Sequence, residues 1–456
     1  MGKWLEAALD YIPDWLQHQM RVFEQPGCVI AISHRGRRIA LEQAFGHADL
    51  GSAQVLTPRH RFRVASHSKS FTAAGIMKLR EQGKLTLDDP VGRYVTRLHP
   101  AVAKATIAQL LSHSAGIIRD GLDTGQWEDR RPFASARELR TALRAAPVID
   151  GNTRFKYSNH GFGLIGLVIE AITGKSYGEW IQRTIVEPSG LKETAPDVPI
   201  PARAPQARGH STKLPSGRRV VIPGENSTRA LAAATGFVST ARDLARFFAQ
   251  LDPAARRSVL TPASRREMIR QQWQSPHSSI ERYYGLGIIS GRIDDWGWFG
   301  HSGGFQGFIT RTAVFPGQGL TVSVLTNAVD GLAPPWLDGV VYILQAFARQ
   351  GAPARNLRDW RGRWWSLWGP ADLVPMGDKV LVASPGLWNP FMDASEITVT
   401  GRDRGRISLA NGYGSHGEGV RRVRRRDGKV AEVWVAGSQM LPEAAIVAEI
   451  EERYGA

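Results

Sequence analysis

The stretch Val64 to Met77 reads Val-Ala-Ser-His-Ser-Lys-Ser-Phe-Thr-Ala-Ala-Gly-Ile-Met, and it constrains the fold more than any other part of the chain. From Phe71 onward it is too apolar for a surface helix, so it must run through a core. Ser66 and Lys69 stand three residues apart at its head, a spacing that puts both on one helix face with about 5 to 6 Å between Cβ atoms. A fold that accommodates this segment brings a lysine amine to a serine hydroxyl at a buried helix end. Desolvation disfavours the ammonium form, which makes Lys69 a neutral base or a proton carrier tunable near neutral pH. The first-turn amides and the positive helix end favour an oxyanion at the same place. Ser66 and Lys69 are therefore a candidate nucleophile and base. Serine-rich helices produce Ser-x-x-Lys by chance, so the weight of the pair depends on what accompanies it.

The chain has 456 residues, 42% hydrophobic and 22% charged, enough for a large core and a second domain. Lys3, Glu6, Asp10 and Asp14 interrupt the first twenty residues, leaving no apolar run of signal-peptide length. No later stretch is long enough to span a membrane, so the expectation is a cytoplasmic protein with no membrane partner. Cys28 is the sole cysteine, which excludes an internal disulfide and a cysteine-based metal site; no metal and no cofactor is expected. The net charge is +16, of which only +2 falls in residues 351–456 and the rest is spread thinly. The one dense run, Arg421 to Arg426, reads as a strand with a solvated face. With no nucleic-acid module beside it, nucleic acid is not an expected partner, whereas an anionic small substrate is compatible with the charge.

A helical start (Trp4 to Leu16) leads to two alternating segments, Cys28 to Ser33 and Arg38 to Phe45, joined at Arg35-Gly36 as a hairpin. The apolar helix follows and stops at Gly83, and residues from about 100 to 280 read as mostly helical. Strand character returns at Trp296 to Gly300, Phe308 to Phe315 and Leu320 to Leu325, before a helix over Pro335 to Gln350. The expected fold class is α+β: an antiparallel sheet built from both chain ends, flanked by helices, with a helical insertion, over residues 1–350. Residues 355–456 form a separate β domain, with strands expected at Trp364 to Trp368, Lys379 to Ala383, Glu396 to Thr400, Arg406 to Ala410, Gly419 to Arg425 and Ala431 to Val435. A small barrel is the expected closure because it leaves no sheet edge exposed, with the tryptophans from Trp360 to Trp368 as its own core.

Two further segments carry chemistry. Tyr157-Ser158-Asn159 precedes an apolar helix, Phe162 to Ile172. A tyrosine beside a lysine can have its phenolate stabilised and act as a base, and an asparagine amide can both orient the lysine and bind a substrate carbonyl. Gly300-His301-Ser302-Gly303-Gly304-Phe305-Gln306-Gly307 lies on a strand expected to line the cleft, where glycines admit a substrate backbone and permit edge pairing. An amide of this strand and that of Ser66 would make a two-donor oxyanion hole.

These three segments, in this order, resemble the serine β-lactamase and penicillin-binding protein superfamily, in its class C β-lactamase, D-aminopeptidase and esterase branch. The resemblance covers about residues 20–345 and extends to Gly83-Lys84-Leu85-Thr86-Leu87-Asp88-Asp89-Pro90, Leu110-Leu111-Ser112-His113-Ser114-Ala115-Gly116, Gly236-Phe237-Val238-Ser239-Thr240-Ala241 and Tyr284-Gly285-Leu286-Gly287. It implies that Ser66 is acylated, that Lys69 and Tyr157 share the proton transfers, that Asn159 positions the substrate amide and that Gly304 donates the second oxyanion amide, with Ser302 and Gly303 lining the substrate. His301, which the resemblance adds to the candidate catalytic residues, stands where many members carry lysine, which leans away from antibiotic hydrolysis. Ala115 replaces a common serine, and His113 is expected to be structural. The trailing domain resembles the lipocalin-like barrel of some peptidases of this group. The expected function is a serine hydrolase acting through an acyl-enzyme on a small peptide, amide or ester, with D-residue substrates favoured. A carboxylesterase or β-lactamase of the same fold, and an inactive binding protein, are the alternatives. Subunit number stays open, a homo-oligomer included.

Overall fold

A computed structural model describes all residues except 1, 37, 202–204, 276–280, 411–413 and 456. The chain divides into two compact units, Gln25–Leu337 and a second made of Met1–Glu24 with Asp338–Ala456. This differs from the expected division at 350–355, because the first helix belongs with the β-rich C-terminal part.

In the unit Gln25–Leu337, nine antiparallel strands form one sheet among the described residues. Its centre is the pairing of Gly27–His34 with Leu320–Thr326, in register from Cys28 opposite Thr326 to His34 opposite Leu320. The two ends of the unit thus close on each other, and the helices lie in the sequence between them. Burial does not alternate along either strand, and both are almost wholly enclosed, as strands covered on both faces should be. The amphipathic helix Ala241–Leu251 lies against them. Outward from Leu320–Thr326 follow Phe308–Phe315, Trp296–Phe305 and Ile289–Ile293.

The apolar segment forms a short 3-10 turn, Ala65–His67, running into the α-helix Ser68–Glu81, in which Phe71, Ala73, Ala74, Ile76, Met77 and Leu79 are fully buried. Phe71 stacks on Phe237 at 4.2 Å and on Phe247 at 3.8 Å between ring centroids. The polar residues of the same segment are pegs. Ser70 Oγ donates to Gly287 O at 2.7 Å, Thr72 Oγ1 to Ala233 O at 2.6 Å, and Ser68 Oγ to Ala65 O at 2.5 Å while accepting from Phe237 N at 3.0 Å. A buried hydroxyl must find such partners, and here they clamp the helix head to three other segments.

The second unit holds the helix Lys3–Val22 and an eight-stranded antiparallel sheet, Gly362–Ser366 through Ser438–Met440. Trp365 and Leu441 exchange backbone hydrogen bonds of 2.7 and 2.8 Å, which nearly closes the sheet into a barrel. Trp360 and Trp364 sit in its core, whereas Trp368 is 94% exposed. The basic run from Arg421 lies on a strand with one solvated face, as its pattern suggests, with Arg421 exposed and Arg422 turned inward by alternation. The Arg422 side chain stacks over Trp360 at 4.2 Å and pairs with Asp359 at 3.2 Å and Asp403 at 2.9 Å. The first helix is tied to this unit through Asp372, which accepts from Tyr11 OH at 2.8 Å and from both ends of the Arg363 fork. The strand Gly369–Met376 escaped the sequence pattern because Pro370 and Pro375 occupy it, each one residue from an end.

Because Phe71 is stacked on two rings in a close-packed site, Phe71→Ala should cost about 3 to 5 kcal/mol. Denaturant unfolding of the two proteins measures it; a loss below about 1 kcal/mol would contradict the packing described here.

Candidate active site

Backbone geometry at the turn before the helix sets the site. Ala65 adopts φ +48°, in the left-handed region that costs a non-glycine residue about 1 to 3 kcal/mol. That kink turns the chain from the strand Phe62–Arg63 into the 3-10 turn and leaves Ser66 half-buried while its neighbours on both sides are fully enclosed. His67 anchors the turn to the sheet, with Nδ1 at 3.0 Å from Val64 O and Nε2 at 3.1 Å from Thr312 Oγ1. Burial pushes its pKa down to about 4, so it is a neutral structural group at neutral pH.

Ser66, Lys69, Tyr157 and Asn159 converge. Ser66 Oγ lies 3.2 Å from Lys69 Nζ and accepts from Tyr157 OH at 2.7 Å. Lys69 Nζ also donates to Asn159 Oδ1 at 2.7 Å and to Ala234 O at 2.9 Å. Asn159 opens the helix Asn159–Thr173, capped by the Ser158 side chain on Gly161 N, so the Tyr-Ser-Asn spacing delivers the phenol and the amide to the same point. The Lys69 amine is completely buried over the rings of Tyr157 and Phe162. Burial pushes its pKa well below the lysine range; Asp120 opposes that shift and Arg119 adds to it. A neutral amine keeps two hydrogens for Asn159 and Ala234 and turns its lone pair to the longest of the three contacts, the Ser66 hydroxyl. Tyr157 moves the other way. Desolvation raises its pKa, more than the Ser66 bond and Arg119 lower it. The sequence pattern suggested a stabilised phenolate; burial favours the neutral phenol instead, because desolvation outweighs the Arg119 guanidinium 5.7 Å from the ring.

Opposite the serine runs the strand Trp296–Phe305. Its neighbour Ile289–Ile293 pairs only as far as Gly300, so His301 to Phe305 keep one edge unpaired by that strand. Ser302, Gly303 and Gly304 line the cleft with Ser66, Tyr157 and Asn159, around a volume of about 360 Å³. A Cβ at Gly303 would lie 2.2 Å from Val64 O, so only glycine lets this strand approach the Ser66 turn so closely. His301 shares the cleft but bonds elsewhere, Nδ1 to Ser302 O at 2.7 Å and Nε2 to Tyr284 OH at 3.0 Å. The carbonyl requires a proton on Nδ1, which leaves Nε2 to accept from the tyrosine. Burial, with His67 and Lys69 adding to it, holds His301 well below the usual histidine range, and it presents no charge.

A family model described as Beta-lactamase matches residues 14–339. The chain belongs to the beta-lactamase family. Protein flp of Staphylococcus aureus (strain COL) is 27% identical over 187 residues, 40% of this chain and 36% of that protein, so the match spans little more than a third of this curated relative. The octameric penicillin-binding protein homologue from Pyrococcus abyssi has the same fold over 95% of this chain and 99% of its own, with a TM-score of 0.66 at 23% identity. The D-amino acid amidase from Ochrobactrum anthropi SV3 matches 74% of this chain and 99% of its own, with a TM-score of 0.63 at 23% identity.

Within this beta-lactamase-family cleft, three lining residues had no sequence signal of their own: Arg119, Trp127 and Arg282. Tyr284, from the family segment Tyr284 to Gly287, lines it as well. Asp120, behind the cleft, accepts from Asn159 Nδ2 at 2.6 Å and pairs with Arg119 Nε at 2.9 Å. His113 supports the site from beneath: its ring lies 4.1 Å from that of Tyr157, and its Nδ1 accepts from Ser158 N at 3.1 Å. Among the described residues, no group of three or more histidine, cysteine or acidic side chains could hold a metal ion. No described helix is long and apolar enough to cross a membrane.

Two outcomes follow from this geometry. Gly303→Ala should force the strand and the Ser66 turn apart, at about 1 to 3 kcal/mol of overpacking; Ser66 labelling by a fluorophosphonate should slow at least tenfold, and unchanged labelling would contradict the close approach. The rate of Ser66 acylation should fall as pH drops through the depressed pKa of Lys69, with the acid limb well below the pH at which an ordinary lysine titrates. A rate that climbs only toward pH 10 would show an ordinary, charged lysine.

Proposed function

We propose that this protein is a serine hydrolase that turns over a small amide or ester through an acyl-enzyme on Ser66, with amides and peptides of D-residues as its favoured substrates. The observation that carries the reading is the bracketing of one atom: Ser66 Oγ stands between the Lys69 amine at 3.2 Å and the Tyr157 phenol at 2.7 Å, on the wall of an open cleft. In the first step Ser66 Oγ bonds to the substrate carbonyl carbon while its proton passes to Lys69 Nζ. The carbonyl electron pair moves to oxygen, where the backbone amides of Ser66 and Gly304 receive it. Collapse expels the amine or alkoxide, which takes its proton from the Tyr157 phenol, and the Lys69 ammonium resupplies that phenol. Water then repeats the sequence with Lys69 as its base, releasing the acid and the serine.

Lys69 suits the base role because burial makes it an amine, and Tyr157 suits the donor role because burial keeps its proton on. The unpaired edge from His301 to Phe305 can take an extended substrate backbone as an added strand. The preference for D-residues is supported by the fold shared with the D-amino acid amidase and by the uncharged His301, which offers no cation to an antibiotic carboxylate. Self-association belongs to the same reading, given the octameric relative of matching length.

Hydrolysis of D-alanyl anilide, L-alanyl anilide and nitrophenyl butyrate, each with the wild type and Ser66→Ala, tests the proposal. The D-anilide should be cut faster than the L-anilide, with a burst equal to one acyl group per chain that Ser66→Ala abolishes. Two inert anilides beside an active ester would reassign the protein as an esterase. Unchanged turnover in Ser66→Ala would reject the nucleophile.

A further inference from the structure

This inference rests on the reading just given and concerns how the site keeps its geometry while Lys69 changes charge. A side-chain amide is almost the same shape after a half-turn, so its orientation is set by its partners. Asn159 has two: Lys69 Nζ at 2.7 Å from Oδ1, and Asp120 Oδ1 at 2.6 Å from Nδ2. An ammonium only donates, so a protonated Lys69 dictates that the amide oxygen face it. A neutral amine both donates and accepts, so it holds the amide oxygen only while its lone pair stays turned to Ser66, and a rotated amine could accept from a flipped amide. In the form of the enzyme ready to attack, the lysine alone therefore does not fix which way round Asn159 stands.

Asp120 does. As a carboxylate it only accepts, and a flipped Asn159 would set two oxygens against each other at hydrogen-bond distance. Its own place is fixed from both sides. Arg119 Nε lies 2.9 Å from Asp120 Oδ2. Arg119 O accepts from Asn159 N at 2.9 Å and His160 N at 3.1 Å, and Ile118 O accepts from Ser158 Oγ at 2.7 Å. These bonds lock the Ile118–Asp120 backbone to the first turn of the helix Asn159–Thr173, whose positive end also favours the carboxylate.

We propose that Asp120 is the positioning residue of this site: it keeps the Asn159 amide turned to Lys69 in both charge states of the lysine, and it is the negative charge against which the lysine takes up and gives back its proton. Of the charged and titratable groups around that amine, Arg119 acts in the opposite sense, while Tyr157, His113 and His301 are held neutral by burial. Asp120 thus supplies the opposition to the lysine's burial.

The test is Asp120→Asn, close to isosteric, with Asp120→Ser as the second neutral replacement, each checked for an unchanged melting temperature. Single-turnover acylation by a nitrophenyl ester should fall roughly ten- to a hundred-fold, because either amide orientation is now allowed. The acid limb of its pH profile should move to lower pH, since Lys69 loses the anion that favours its charged form. Asp120→Glu, which restores the charge, should bring the limb back. A folded neutral variant that keeps both the wild-type rate and the wild-type limb overturns the inference. A wild type that shows no Ser66 acylation instead overturns the proposed function, so the two failures are distinct.

Discussion

One lysine taken out of water organises the unit Gln25–Leu337. Stripping solvent from an ammonium costs several kcal/mol unless a counter-charge or neutralisation offsets it, and Lys69 is completely buried with its hydrogen bonds going to a hydroxyl, an amide oxygen and a peptide carbonyl. The least costly state under those conditions is the amine. Everything that makes the position dry therefore contributes to making it a base: the packed helix behind it, the Tyr157 and Phe162 rings over it, and the neutral imidazoles of His113 and His301. Charged groups stay at the margin, with Arg119 exposed toward the cleft and Asp120 one asparagine away. The site is a gradient from solvated charge to dry amine across a few side chains.

The same packing explains why the Ser66 hydroxyl is accessible while the Lys69 amine is not. Ser66 sits in a 3-10 turn outside the regular helix, entered through the left-handed Ala65. The strain is held by the sheet through His67 and by the strand that only Gly303 allows so near. Accessibility of the hydroxyl and burial of the amine are thus two results of one backbone kink.

Much of this was legible in the residues because the relevant constraints are local or periodic. The apolar run from Phe71 announces a core helix, and Ser66 and Lys69 share its face whatever packs against it. Ser158 as a cap before an apolar run places Tyr157 and Asn159 at a helix entrance. Phe308 to Phe315 was read with its true ends, and the glycine-rich segment from Gly300 was placed on the strand lining the cleft, which pairing with Phe308–Phe315 carries to Phe305. What escaped depended on tertiary placement. Asp120 and Arg119 follow Gly116 with no periodic signal, and their roles come only from the hydrogen bonds that tie Ile118–Asp120 to a helix forty residues later. Tyr284 was visible as part of a family segment, but its bond to His301 was not. In the C-terminal unit, the basic run was legible as a strand with a solvated face, but not which arginine turns inward, since alternation and the Asp359 and Asp403 partners decide that for Arg422.

The measurement closest to the central claim is a pH titration of the Lys69 side chain by carbon NMR, with the ε carbon of lysine labelled and Lys69→Arg used to assign the signal. The account predicts a resonance already at its neutral-amine position at pH 7, titrating well below the pH at which the other lysines titrate. A Lys69 signal that stays in the ammonium position until pH 10 would contradict it.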